Sequence, residues 1–288
     1  MAYVRETVEE HHHQNQPSLP VKLQTAYDIL QPYRLTFNIA QIDRCLNLTD
    51  RGGGSSNSLC ITSSLKDGSW QQQRHVNDTL LTRLCVRALL SRRQGGFESP
   101  SVIFIDAGNH SDIYQCVNFA RQYGLDIQKV IDSIIVSRPF NLHQLAGLLI
   151  NELDPAIISH RFGGAKLIVI SDLLRTLVQD TRIDPDEALW LVKEISRALR
   201  RLSSHVLLVV SMHDCPTRYS RFLLSLFYNR IYIITTTTTK EPGSFEVKVK
   251  SNFLHNRHNE VSSSSGKSES SFSSFILTER DLKVVPAR

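Results

Sequence analysis

Residues 101–106 read Ser-Val-Ile-Phe-Ile-Asp, and residues 166–172 read Lys-Leu-Ile-Val-Ile-Ser-Asp. Each is an apolar run that closes on an acid. A strand with one face in water alternates apolar and polar side chains, whereas a strand covered on both faces of a parallel sheet stays apolar throughout. Residues 206–211, Val-Leu-Leu-Val-Val-Ser, repeat the pattern. Between and around these runs lie helical signals. Residues 112–123 place Ile113, Cys116, Val117 and Ala120 on one face, with Gly124 set to end the helix. Residues 184–202 carry Asp184 as a cap, Pro185 in the first turn, Glu187 to complete a capping box, and a stripe of Ala188, Leu191, Ile195, Ala198 and Leu202.

Working outward, a short strand is expected at 133–136 and a helix at 142–151, while Leu80, Leu81, Leu84, Cys85, Ala88 and Leu89 mark a helix over 80–90. A strand at 59–62 precedes that helix. Further strands near 230–235, 245–250 and 275–278 have no clear helices between them. Buried strands alternating with crossover helices predict an α/β fold: a mainly parallel central sheet, helices on both faces, and antiparallel strands at the C-terminal edge. In such sheets function gathers at the carboxyl ends of the strands, which here are Asp106, Asp172 and Ser211.

The 288 residues, 41% of them hydrophobic, suffice for one large domain. A flexible arm is expected over residues 1–20, a core over 21–288, and a mobile serine-rich loop over 262–274. No apolar run approaches the roughly 20 residues that cross a bilayer. The polar, acid-bearing N-terminus fits no secretory or transit signal, so an intracellular protein without membrane contact is expected. Cys45, Cys60, Cys85, Cys116 and Cys215 are widely spaced and read as reduced core thiols. His11, His12 and His13 read as a solvated low-complexity run, so no metal site is expected. The net charge of +5 permits contact with polyanions without requiring it.

Several short pieces recur in a fixed order: LQTAYDIL, IDRCL and RGGG; RRQGG before VIFIDAG; then RQYGLD, IIVSRPFN, KLIVISD, VVSMHD, NRIYII and ILTERDL. In this order, from Leu23 to Val285, the chain resembles the RecA/RadA recombinase family, in its archaeal and eukaryotic RadA-like branch. The resemblance implies a RecA-like core. With only residues 1–20 ahead of that core, it also implies a core-only paralogue without the family's separate N-terminal DNA-binding domain.

Members of that family that hydrolyse ATP grip it with a glycine-rich loop ending in Gly-Lys-Ser/Thr, whose amides and lysine hold the phosphates while the hydroxyl holds magnesium. The corresponding stretch here, residues 63–81, offers only Lys66, Gly68 and, near an expected helix start at 77–79, Thr79. The Ser-Gly-Lys-Ser at 265–268 imitates the signature but follows no buried strand. The resemblance places the general base two residues beyond Asp106, where Gly108 stands, and the magnesium-supporting acid at Ser171. Asp172 lies one residue late, and strand alternation turns it away unless the strand ends early. His110 reads as a turn residue; the adjacent His213, Asp214 and Cys215 point in different directions and read as no site.

By the same resemblance, a docking motif of the FxxA type falls on Leu23 and Ala26, with a smaller anchor than the family's aromatic one. Two DNA-facing loops offer Arg175 and Arg182, then Arg218, Tyr219 and Arg221, for phosphate contact and base stacking. Taken together, the implied function is a non-catalytic paralogue assisting homologous recombination and repair. Its partners would be a RadA-like recombinase, another paralogue or single-stranded DNA, in the cytoplasm of a prokaryote or the nucleus of a eukaryote. No cofactor is implied. ATP and magnesium enter only under the alternative of a DNA-dependent ATPase with an atypical loop; a regulatory scaffold outside DNA metabolism is the third reading.

Overall fold

The computed structural model describes residues 34–49, 57–64, 70–162, 164–179, 182–214, 218–227, 229–235, 244–251 and 272–283. All belong to one compact unit, Pro32–Arg288. The expected arm with His11, His12 and His13, the docking pair Leu23 and Ala26, the loop residues Lys66 and Gly68, and most of the serine-rich stretch lie outside the described residues.

The central sheet has eight strands: β3 (Ser58–Ser64), β4 (Val102–Asp106), β5 (Ile134–Ser137), β6 (Leu167–Ser171), β7 (Leu207–Asp214), β8 (Asn229–Thr235), β9 (Ser244–Lys250) and β10 (Ser273–Thr278). Their order is β10-β9-β8-β3-β7-β6-β4-β5. The pairs from β8 through β5 are parallel, and β9 and β10 add antiparallel strands at one edge. A small hairpin, β1 (Arg34–Leu35) with β2 (Leu48–Thr49), flanks α1 (Ala40–Cys45).

Successive strand residues face opposite sides, and here both sides are dry. Leu59, Val102, Phe104, Leu167, Val169, Leu207 and Val209 join one core cluster, in which α2 (Trp70–Leu89), α3 (Ile113–Gln122) and α4 (Ile127–Ser133) bury their apolar faces. Cys60, Ile103, Ile105, Ile168, Ile170, Leu208 and Val210 join the other, beneath α5 (Leu142–Gly147), α6 (Leu153–Ile158) and α8 (Pro185–His205). The short α7 (Arg175–Gln179) follows β6, α9 (Arg218–Leu224) follows β7, and α10 (Glu279–Leu282) closes the described chain. Among the described residues no helix is long and apolar enough to cross a membrane. Cys45, Cys60, Cys85 and Cys116 are free and buried, and burial pushes the Cys60 and Cys116 thiols up to about 12, consistent with inert core residues.

Several boundaries differ from those expected. Helix α2 begins at Trp70, so Thr79 sits more than two turns inside it, 8% exposed, rather than at a phosphate-facing helix start. The helix expected at 142–151 continues through a π-turn at Leu148–Glu152 into α6. Pro155 lacks an N–H and crowds the carbonyl four residues before it, and the wide turn relieves both. Asp184 caps α8 as expected, but the Glu187 carboxylate pairs with His143 at 3.0 Å instead of returning to the cap. β7 runs on to Asp214, and β10 begins at Ser273, inside the stretch expected as a loop.

Arg83, 1% exposed, fastens the C-terminal segment to α2. Its guanidinium donates to the carbonyls of Leu282 (2.7 Å) and Asp281 (3.4 Å) and lies over the Phe119 ring at 5.4 Å. Hydrogen bonds from a charged donor contribute about 1.5–3 kcal/mol each. Arg83→Ala is therefore expected to lower unfolding free energy by about 3 kcal/mol in urea titration; an unchanged midpoint would show that the clasp carries no stability.

Candidate functional site

The carboxyl ends of β3, β4, β6 and β7 meet the first turns of α2, and ionisable side chains converge there. Asp106 ends β4 fully buried. Its carboxylate accepts the backbone N–H of His110 (3.2 Å), the N–H and hydroxyl of Ser111, and the Ser171 hydroxyl (3.0 Å), with Arg138 Nε at 3.3 Å. Burial would raise its pKa, but these donors prevail and hold it below the ordinary carboxylate value. Asp106 is thus fully engaged in shaping the turn at residues 107–111.

That turn places His110 over Gly108. A Cβ built on Gly108 would collide with His110 Nε2 and Cδ2 and stand 3.1 Å from the Asp172 Cβ. The position implied for the water-activating glutamate therefore has no room for any side chain while His110 stays in place. His110 Nδ1 lies 3.0 Å from Asp78 Oδ2 on α2, and Nε2 lies 3.7 Å from Asp172 Oδ2. Neither nitrogen meets hydrogen-bond geometry, so charge rather than alignment holds the ring. Burial lowers the His110 pKa, but Asp172 and Asp78 together raise it to about 9.

β6 ends at Ser171, and Asp172 takes a left-handed conformation, φ 49°. This backbone turn decides the one-residue slip: Ser171 reaches Asp106, and Asp172 turns its carboxylate inward. There His213 Nε2 approaches Asp172 Oδ2 at 3.2 Å. His213 Nδ1 lies 2.9 Å from Ser63 Oγ at the end of β3, and Asn77 Nδ2 donates to the same oxygen at 3.2 Å. Burial works against the Asp172 charge, but the two histidines outweigh it and hold the carboxyl well below the usual range. His110 and His213, read from sequence as a turn residue and as no site, are thus the two side chains that face Asp172.

Of the residues expected here, Asp106, Gly108 and Asp172 come together, while Thr79 does not line the cleft formed by Arg74, Asn77, Asp78, His110, Asp172 and His213. The expected DNA contacts fall on two neighbouring segments. Arg175 opens α7; Arg182 and Arg221 are exposed, and the Arg218 side chain lies outside the described residues. Tyr219 is less available than a stacking residue should be. It packs partly against the core, and its hydroxyl donates to the Pro185 carbonyl at 3.3 Å.

The Gly108–His110 contact gives a direct test. Gly108 does not have positive φ, so alanine meets only steric conflict there. Gly108→Ala is expected to cost about 1–3 kcal/mol, as overpacking does, and to lose most of that cost in a His110→Ala background. Chemical denaturation of the four proteins measures the coupling; equal costs in both backgrounds would contradict the occlusion.

A model of the Rad51 family matches residues 38–205, which span α1 through α8 and hold Asp78, Asp106, Gly108, His110 and Asp172. No curated protein matches the chain. The family match covers more than half of the 288 residues and takes in β3, β4, β5 and β6 of the mainly parallel sheet. The chain belongs to the Rad51 family, the RecA/RadA type of recombinase protein.

Proposed function

We propose that this Rad51-family protein serves recombination and repair as a binding subunit that does not turn over ATP, engaging a RadA-like recombinase or another family member, single-stranded DNA, or both. The observation that carries this reading is the occlusion of Gly108 by His110. Hydrolysis needs a base poised on the attacking water, and the position the family uses for it holds neither an acid nor space for one.

Two further features support it. A phosphate loop spans a strand end and a helix start, and here β3 ends at Ser64 while α2 starts at Trp70. Laid on that junction in sequence, the signature keeps Gly68 but meets Ser69 and Trp70 where its lysine and hydroxyl belong. The magnesium-supporting position is Ser171, already donating to Asp106, and Asp172 is committed to two histidines. These residues do not fit a magnesium triphosphate.

Binding of single-stranded DNA would fall to Arg175, Arg182, Arg218 and Arg221 after β6 and β7, with phosphate contact outweighing stacking given the restraint on Tyr219. Purified protein is expected to release phosphate from ATP only at the background rate, with or without single-stranded DNA. A robust DNA-stimulated rate would overturn the reading. In gel shifts across a salt series, Arg182→Ala with Arg221→Ala is expected to weaken DNA binding and flatten the salt slope by about 1 per lost phosphate contact. An unchanged slope would remove these arginines from the DNA site.

A further inference from the structure

We propose that His110 is the resident cation of this site, standing between the carboxylates of Asp78 and Asp172 and drawing α2 and the carboxyl ends of β4 and β6 together without any ligand. This deepens the reading of a chain that does not turn over nucleotide and rests on it, yet its test involves no nucleotide.

The geometry points to this role in three ways. First, the ring presents one nitrogen to each carboxylate, 3.0 Å from Asp78 Oδ2 and 3.7 Å from Asp172 Oδ2. A neutral imidazole carries a proton on one nitrogen and a lone pair on the other, which would repel one of the two acids; only the doubly protonated ring attracts both. Second, the partners are withdrawn from water, with side-chain exposures of 12% for His110, 14% for Asp78 and 6% for Asp172. Two acids in such a place need a positive charge between them. Third, the backbone is bent to build the arrangement. Asn109 (φ 53°) and Asp172 (φ 49°) both adopt the left-handed region, and Gly108 clears the space the ring fills.

The other charged and titratable groups near the ring are Arg74 on α2, His213 on β7, and Asp106 on β4, whose carboxylate accepts the His110 backbone N–H. The pocket therefore holds its countercharge within the fold. A metal ion or a cationic ligand would be redundant while His110 remains, and would be wanted once it is removed.

The test uses the whole chain and thermal unfolding followed by circular dichroism, with manganese or magnesium as the probe. His110→Gln and His110→Ala are both expected to lower Tm by about 5 °C. Millimolar manganese is expected to restore much of that loss in His110→Ala, to do nothing for the wild type, and to fail in His110→Ala with Asp78→Asn. A second readout is pH. The His110 pKa in the folded chain is raised to about 9, so its contribution is complete below the unfolded histidine value, roughly 6.5, and fades as pH climbs through 9. That decline should be present in the wild type and missing in His110→Gln. Should His110→Ala fail to fold, the pH profiles of the wild type and His110→Gln decide alone. Equal profiles, a wild type stabilised by manganese as much as the variant, or a folded His110→Ala indifferent to manganese would each overturn the proposal.

Discussion

A buried carboxylate must be neutralised, hydrogen-bonded or paired, and the site is organised around that constraint at Asp172. The residue is 4% exposed, follows a strand buried on both faces, and has two imidazoles as its nearest opposing groups. Removing one partner from a buried charge pair typically costs about 3–5 kcal/mol, so His110 binds the end of β4 to that of β6, and the 3.2 Å approach of His213 brings in β7. Ser63 then joins β3 to the same network through His213. Side chains thus add to the backbone ladder in tying four parallel strands and the start of α2 together at their carboxyl edge.

The division of labour between Asp106 and Asp172 follows from one backbone angle. Ser171 continues the strand and hydrogen-bonds Asp106; Asp172 leaves it with positive φ and faces the opposite group of residues. One acid is hydrogen-bonded by amides and hydroxyls, the other faces two imidazoles. In a site that must admit a triphosphate, such groups would stay free for the ligand. Here each is already spoken for, and the glutamate position is closed by the ring that neutralises its neighbour.

Most of the sheet was legible because a strand dry on both faces has a composition that no surface element shares: VIFID, LIVIS and VLLVVS announce β4, β6 and β7 directly. Helix α8 was legible through its cap and stripe. The first part of α2 was not, because most of its inward residues are polar, Val76 apart. Gln73 and Asn77 are 2% and 4% exposed, and Asn77 lines the cleft, so no apolar period marks them. Asp172 was ambiguous because aspartate tolerates the left-handed region without requiring it. His110 and His213 looked unrelated, being distant in sequence; the parallel register that sets Ser63 beside His213 and Asp106 beside Ser171 brings them together.

In the proposed reading the triphosphate site is closed by the chain's own charges. Titration calorimetry of the wild-type protein with magnesium ATP tests it most directly. No saturable heat above dilution is expected, whereas stoichiometric binding of magnesium ATP would show the site to be open.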